Sequence, residues 1–101
     1  MKFFCVCHYG HSRSAALAQV LHAQSHEAVC AGIGTSPSSL NPLSSWADKI
    51  IVLQEYMANH INPEFLHKTF IIDIGPDVWS NPYNKELKAM LLEKITRAGL
   101  L

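Results

Sequence analysis

The apolar positions of this chain change period several times, and each change marks an element. Residues 3–7 read Phe-Phe-Cys-Val-Cys, an unbroken apolar run. That predicts a short buried strand, with Phe4 and Val6 on one face and Phe3, Cys5 and Cys7 on the other. Tyr9-Gly10-His11 then turns the chain. Ala16, Leu17, Val20, Leu21 and Ala23 recur at helical spacing, which predicts a helix over residues 13–26 with Ser12 as its N-cap. Residues 28–31 are a second short strand, ended by Gly32 and Gly34. Residues 36–45 are half serine and carry Ser-Pro and Asn-Pro, so they read as a loop with at most one helical turn.

Residues 49–53 contain the β-branched run Ile50-Ile51-Val52, which suits a central parallel strand. A short helix is expected over residues 55–61 and a fourth strand over 69–72. A loop with Gly75-Pro76 follows over 73–81. Asn81-Pro82 offers an N-cap and a first-turn proline. Leu87, Met90, Leu91, Ile95 and Ala98 then mark the apolar stripe of a last helix, which Gly99 would stop. Alternation of this kind predicts an α/β fold: a three-layer αβα sandwich with a four-stranded parallel sheet, as one domain over residues 1–101. No internal repeat and no linker is visible.

Composition narrows the function classes. Apolar residues make up 49% of the 101 and charged residues 16%, which argues against disorder. Eight basic and eight acidic side chains balance, so nothing suggests a nucleic-acid or anionic-membrane surface. No apolar run approaches the ~18 residues of a membrane span. The run after Lys2 is shorter than the ~7–15 residues of a secretory h-region. Cys5, Cys7 and Cys30 are an odd, small set that does not look like a disulfide framework. A cytoplasmic setting with reduced thiols is expected, where a cysteine can be chemically active.

The charges are unevenly placed. Residues 1–47 hold three, Lys2, Arg13 and Glu27. Arg13 falls six residues after Cys7 in Cys7-His8-Tyr9-Gly10-His11-Ser12-Arg13-Ser14, between a strand end and a helix start. In open parallel sheets ligands bind at that place. Five intervening residues, His8 to Ser12, let backbone N–H groups curl round one tetrahedral anion. The helix N-terminus adds partial positive charge, and the Arg13 fork grips two anion oxygens. Cys7 lies at the bottom of this positive bowl, where the field favours a thiolate. Ser14 is placed to donate to that sulfur. The amides and Arg13 can neutralise transition-state charge, so no metal or cofactor is called for.

At these residues the chain resembles the low-molecular-weight protein tyrosine phosphatases, in a short and divergent form. That family carries C-x5-R-S directly after its first strand, followed by an Ala-rich helix, as in Arg13-Ser14-Ala15-Ala16 here. Ala31-Gly32-Ile33-Gly34-Thr35 is similar to its S-A-G-T segment, and Trp46-Ala47-Asp48-Lys49-Ile50 to its A-D-x-I stretch. The family usually has Asn at the Gly10 position and often a second cysteine at the Ser12 position.

The resemblance implies a phosphotyrosine phosphatase in which Cys7 forms a phosphocysteine and Arg13 binds phosphate. An aspartic acid would protonate the leaving oxygen. Asp77 is the first choice, because Pro76-Asp77 matches the family's P-D pair, and Asp73 is the second. If Asn81-Pro82-Tyr83 is the counterpart of D-P-Y, the acid has been replaced by Asn. Tyr9, Trp79, Tyr83 or Trp46 would wall the substrate cleft. The partner would be a phosphotyrosine protein or a small aryl phosphate.

Two other readings share the scaffold. One is a phosphocysteine carrier like a sugar phosphotransferase B component, against which Arg13 argues. The other is a phosphate-binding module with weak or no catalysis. An arsenate reductase would need further cysteines, and none follows Cys30. His22 and His26 stand at i, i+4, which is metal-ligand spacing, but two exposed histidines near a helix end are the simpler expectation. His8 and His11 flank the nucleophile. Cys30 is expected in the core, and Lys85, Lys88, Lys94 and Arg97 on the solvated face of the last helix.

Overall fold

The computed structural model describes residues 1–101 apart from Thr35, Asp77 and Ser80, with the backbone only of Pro37. In chain order it contains β1 (Lys2–Cys7), α1 (Arg13–Ala23), β2 (Glu27–Gly32), α2 (Pro37–Trp46) and β3 (Lys49–Val52). Two 3₁₀ segments follow, Glu55–His60 and Pro63–Lys68, then β4 (Thr69–Ile71) and α3 (Lys85–Arg97). The four strands form one sheet in the order β2-β1-β3-β4, and every pairing is parallel. The expected three-layer architecture is what the chain adopts.

β1 is central, and residues 3–7 are all buried. Burial on both faces explains why the run does not alternate. β1 to β2 runs toward one edge and β2 to β3 back across β1. Right-handed crossovers therefore place α1 and α2 on opposite faces. α1 packs against α3, with Leu17, Leu21, Leu87, Leu91 and Ile95 all fully buried.

The last helix ends as read. Gly99 has φ +72°. The Gly99 amide donates to the Thr96 carbonyl at 3.1 Å and the Leu100 amide to the Ile95 carbonyl at 3.0 Å. With Leu100 and Ile95 both buried, this is a Schellman closure with its apolar contact.

The strands keep within a residue of their expected bounds, and the larger departures from expectation lie outside the sheet. α1 stops at Ala23, three residues short. Ser25, at φ +66°, takes the left-handed position that glycine usually fills. The Ser25 amide donates to the His22 carbonyl and the His26 amide to the Leu21 carbonyl, both at 3.0 Å. The serine-rich stretch is a ten-residue helix, α2, and not a loop. Proline at its first position suits a helix start. Leu40, Ser44 and Ala47 are buried on its inner side, so packing outweighs the poor propensity of Ser and Pro.

The segment after β3 is 3₁₀ rather than α, and a second 3₁₀ segment follows it. α3 starts later than read. Asn84 is its N-cap, its Oδ1 accepting from the Glu86 and Leu87 amides at 2.9 and 3.0 Å. Asn81 instead makes a turn of its own, accepting from the Tyr83 amide at 2.9 Å. Ala98 is exposed and lies outside the apolar stripe.

Candidate functional site

β1 ends at Cys7 and α1 begins at Arg13, so the five residues between them must reverse direction at the carboxyl edge of the sheet. Gly10 makes the reversal possible. Its φ is +75°, and a Cβ there would lie 2.7 Å from the Gly32 nitrogen. The loop is pinned from the other side by the Ile33 amide, which donates to the Cys7 carbonyl at 3.0 Å and the His8 carbonyl at 3.2 Å.

Inside this loop two groups converge on the Cys7 sulfur. The Gly10 amide donates to Sγ at 3.1 Å, and Ser14 Oγ lies 3.0 Å from it. Cys7 is 2% exposed and Ser14 fully buried.

Arg13 is 1% exposed. A buried guanidinium demands partners, and two neutral ones hold Nη1: Gln54 Oε1 at 2.6 Å and the Gly75 carbonyl at 2.7 Å. Neither partner cancels its charge. Nε is buried with no hydrogen-bond partner among the described residues. Among the described residues no carboxylate pairs with Arg13; an orphaned donor on such a cation, at the end of a loop of amides, suits an oxyanion.

Gln54 was missed by the sequence reading. Its signal is positional: it follows Leu53 at the carboxyl end of the strand next to β1, where ligand-side groups of a parallel sheet belong. The Leu53 amide donates to the Val6 carbonyl at 3.1 Å, which locks that end beside Cys7. Tyr56 was also missed. Its hydroxyl lies 2.9 Å from His8 Nδ1.

Similar solved structures cover almost the whole chain. The tyrosine phosphatase Wzb from Escherichia coli K30, in complex with phosphate, superposes with a TM-score of 0.71 over 98% of this chain and 96% of that one, at 15% identity. Vibrio vulnificus Wzb in complex with benzylphosphonate gives 0.67 at 21% identity, over 98% and 94%. The YwlE arginine phosphatase from Geobacillus stearothermophilus gives 0.69 at 18%, over 98% and 95%.

This is the low-molecular-weight protein tyrosine phosphatase fold. No protein-family model and no curated protein matches the sequence. At these identities what the chain shares with the solved structures is the fold.

Within this phosphatase fold the remaining candidates scatter. Asp77, the first choice for the acid, lies outside the described residues. Asp73 is exposed, and its carboxylate is engaged by backbone: Oδ1 accepts from the Gly75 amide at 2.8 Å and Oδ2 from the Glu55 amide at 3.4 Å. It thereby shapes the turn that presents the Gly75 carbonyl to Arg13. Ser12 is buried and occupies the N-cap position, but its side chain makes no capping bond. Its carbonyl accepts from the Ala16 amide instead, at 2.9 Å.

Tyr9 is exposed beside the loop, with its ring edge-on to His8 at 4.3 Å between centroids. His11 is exposed. Trp79 packs half-buried against the core. Tyr83 is exposed near the start of α3 under Lys88, whose Nζ is 5.9 Å from its ring. Trp46 does not wall the site. It lies by Lys2, whose Nζ is 5.8 Å from its ring, at the amino end of β1.

The other cysteines and histidines have plain surroundings. Cys5 is fully buried, and burial pushes its thiol well up from the ordinary value. Cys30 is exposed rather than in the core, because β2 is an edge strand. Its Sγ lies 3.9 Å from the Gly10 carbonyl. Partial burial and then the neighbouring Cys7 push its thiol up. His22 Nε2 is 3.0 Å from the Ala28 carbonyl, and His26 packs edge-on against Phe3. Among the described residues no three His, Cys, Asp or Glu side chains gather to hold a metal ion, and no helix is long and apolar enough to cross a membrane.

Proposed function

We propose that this protein hydrolyses phosphomonoesters through a phosphocysteine on Cys7, with protein phosphotyrosine as the substrate class. The observation that carries this is a Cys7 sulfur that accepts from the Gly10 amide, together with a buried Arg13 that, among the described residues, pairs with no carboxylate and has no partner for its Nε. Phosphate sits in the loop, held by backbone amides from His8 to Ser12 and by Arg13. The sulfur of Cys7 attacks phosphorus opposite the leaving oxygen and the P–O bond breaks; in the second step water attacks phosphorus, giving its proton to the deprotonated acid residue, the P–S bond breaks with Ser14 donating to the departing sulfur, and inorganic phosphate is released. A phenol of pKa ~10 leaves poorly as an anion, so an acid must protonate it. Asp77 has that role. The engagement of the Asp73 carboxylate by two backbone amides supports this choice over Asp73.

The neighbouring folds named as tyrosine and arginine phosphatases support the reaction class. A buried Arg13 at the end of the loop favours turnover of a phosphate ester over the carrier reading. The test is hydrolysis of p-nitrophenyl phosphate by the wild type and Cys7→Ser side by side. Release of p-nitrophenol by the wild type alone is expected. Equal release by both proteins, or none by either, overturns the reading.

A further inference from the structure

His8 links two tyrosine rings at the loop. Tyr56 Oη lies 2.9 Å from His8 Nδ1, with ring centroids 6.4 Å apart. His8 meets Tyr9 edge to face, with centroids 4.3 Å apart and planes at 79°. His8 and Tyr9 are the first two residues after Cys7. Tyr56 belongs to the 3₁₀ segment Glu55–His60 and comes two residues after Gln54, the acceptor for Arg13. One short stretch of chain thus holds both the Arg13 guanidinium and the His8 imidazole.

Core packing does not account for these rings. Tyr9 is 65% exposed and Tyr56 42% exposed. Large rings left open to solvent yet fixed by a specific hydrogen bond and an edge-to-face contact are characteristic of binding surfaces rather than interiors. A ring already held in place loses little freedom when a ligand arrives, so its contact with the ligand shows in affinity.

We propose that Tyr56 is a positioning residue that sets specificity. Its hydroxyl fixes the His8 imidazole and, through it, the Tyr9 ring. The three form one wall against which a flat aromatic substituent of a loop-bound phosphorus oxyanion lies. The inference rests on the proposed function for its anion but not on hydrolysis, and the test uses ligands that are not turned over.

Binding of inorganic phosphate, methylphosphonate and phenylphosphonate is measured by calorimetry on the wild type, Tyr56→Phe, His8→Ala and the double variant. The wild type should prefer phenylphosphonate to methylphosphonate by about tenfold, as a ring-on-ring contact allows. Tyr56→Phe keeps the ring and loses the hydroxyl. It should cut that preference roughly 3–10-fold, the range of one hydrogen bond, and leave phosphate affinity unchanged. In the His8→Ala background it should do nothing further.

A preference untouched by Tyr56→Phe overturns the proposal. So do effects that simply add in the double variant, and so does an equal loss for all three ligands, which would place Tyr56 in the folding of the loop. A wild type that keeps the preference but hydrolyses no ester retires the proposed reaction and leaves the wall standing. A wild type that binds none of the three overturns both.

Discussion

Gly10 and Gly32 meet backbone to backbone. A Cβ on Gly10 would lie 2.7 Å from the Gly32 nitrogen, and a Cβ on Gly32 would lie 2.6 Å from the Tyr9 carbonyl carbon. The end of β2 is therefore the wall that the loop leans on, and neither contact has a flexible side-chain tip that can give way. Gly32→Ala should cost about 1–3 kcal/mol by overpacking. It should also weaken inorganic phosphate binding, because the loop must shift to make room. Urea unfolding and phosphate calorimetry on the same variant check this; full stability with unchanged phosphate affinity would contradict it.

Gln54 and the Gly75 carbonyl hold Arg13 without neutralising it. Gln54→Glu preserves shape and acceptor but places a carboxylate on the guanidinium. The pair would then compete with a bound anion for the same charge. Phosphate affinity should fall by about tenfold or more, while folding stability holds or rises. Calorimetry and thermal melting distinguish this from a merely structural Gln54, for which the two would fall together.

Ser25 at φ +66° closes α1 in the left-handed conformation, which costs an L-residue roughly 1 kcal/mol relative to glycine. Among the described residues no hydrogen bond from the Ser25 side chain offsets that cost. Ser25→Gly should therefore raise the urea midpoint, corresponding to about 0.5–1 kcal/mol, with no effect on phosphate binding. A lowered midpoint would show that the serine side chain contributes more than its backbone strain removes.

This position also shows where sequence reading reached and where it stopped. The strands were legible because residues 3–7 and 50–52 are apolar without interruption, a pattern that only a sheet covered on both faces makes. The Cys7 to Arg13 spacing was legible because a strand end, a turn and a helix start follow one another in the chain. Whatever depended on tertiary context was not. The left-handed closure carries Ser where glycine is the signal, and α2 is a helix because Leu40, Ser44 and Ala47 find a face to cover. Gln54 and Tyr56 join the loop across 41 and 48 residues of chain, respectively, and no local pattern announces such pairings.

The three thiols should separate by alkylation. Cys5 is fully buried and its thiol is pushed well up by burial. Cys30 is exposed, but partial burial and the neighbouring Cys7 push it up as well. A raised thiol holds less thiolate at neutral pH, and its reaction with iodoacetamide speeds up as pH climbs through its own value. Cys30 should therefore alkylate slowly at pH 7 and markedly faster above pH ~9, and Cys5 only on unfolding. Peptide mapping of the labelled protein, with and without phosphate, reads each site. Saturating phosphate should protect Cys7 and leave Cys30 unchanged. Protection of Cys30 instead would move the anion away from the loop.

The identity of the acid is decided by leaving-group chemistry. An acid that protonates the departing oxygen matters most when that oxygen is a poor leaving group and least when it leaves readily as an anion. Asp77→Asn should lower kcat for phenyl phosphate by about 10²–10⁴-fold. The loss for p-nitrophenyl phosphate, whose phenol is far more acidic, should be clearly smaller. Asp73→Asn should behave otherwise. The Asp73 carboxylate builds the turn that presents the Gly75 carbonyl to Arg13, so its loss disturbs anion binding for both esters alike, raising KM without regard to leaving group. Steady-state kinetics with the two esters on both variants gives four ratios that separate the roles. A leaving-group dependence confined to Asp73→Asn would exchange the assignments. Its absence from both variants would mean that neither carboxylate is the acid, as the Asn81-Pro82-Tyr83 alignment implies.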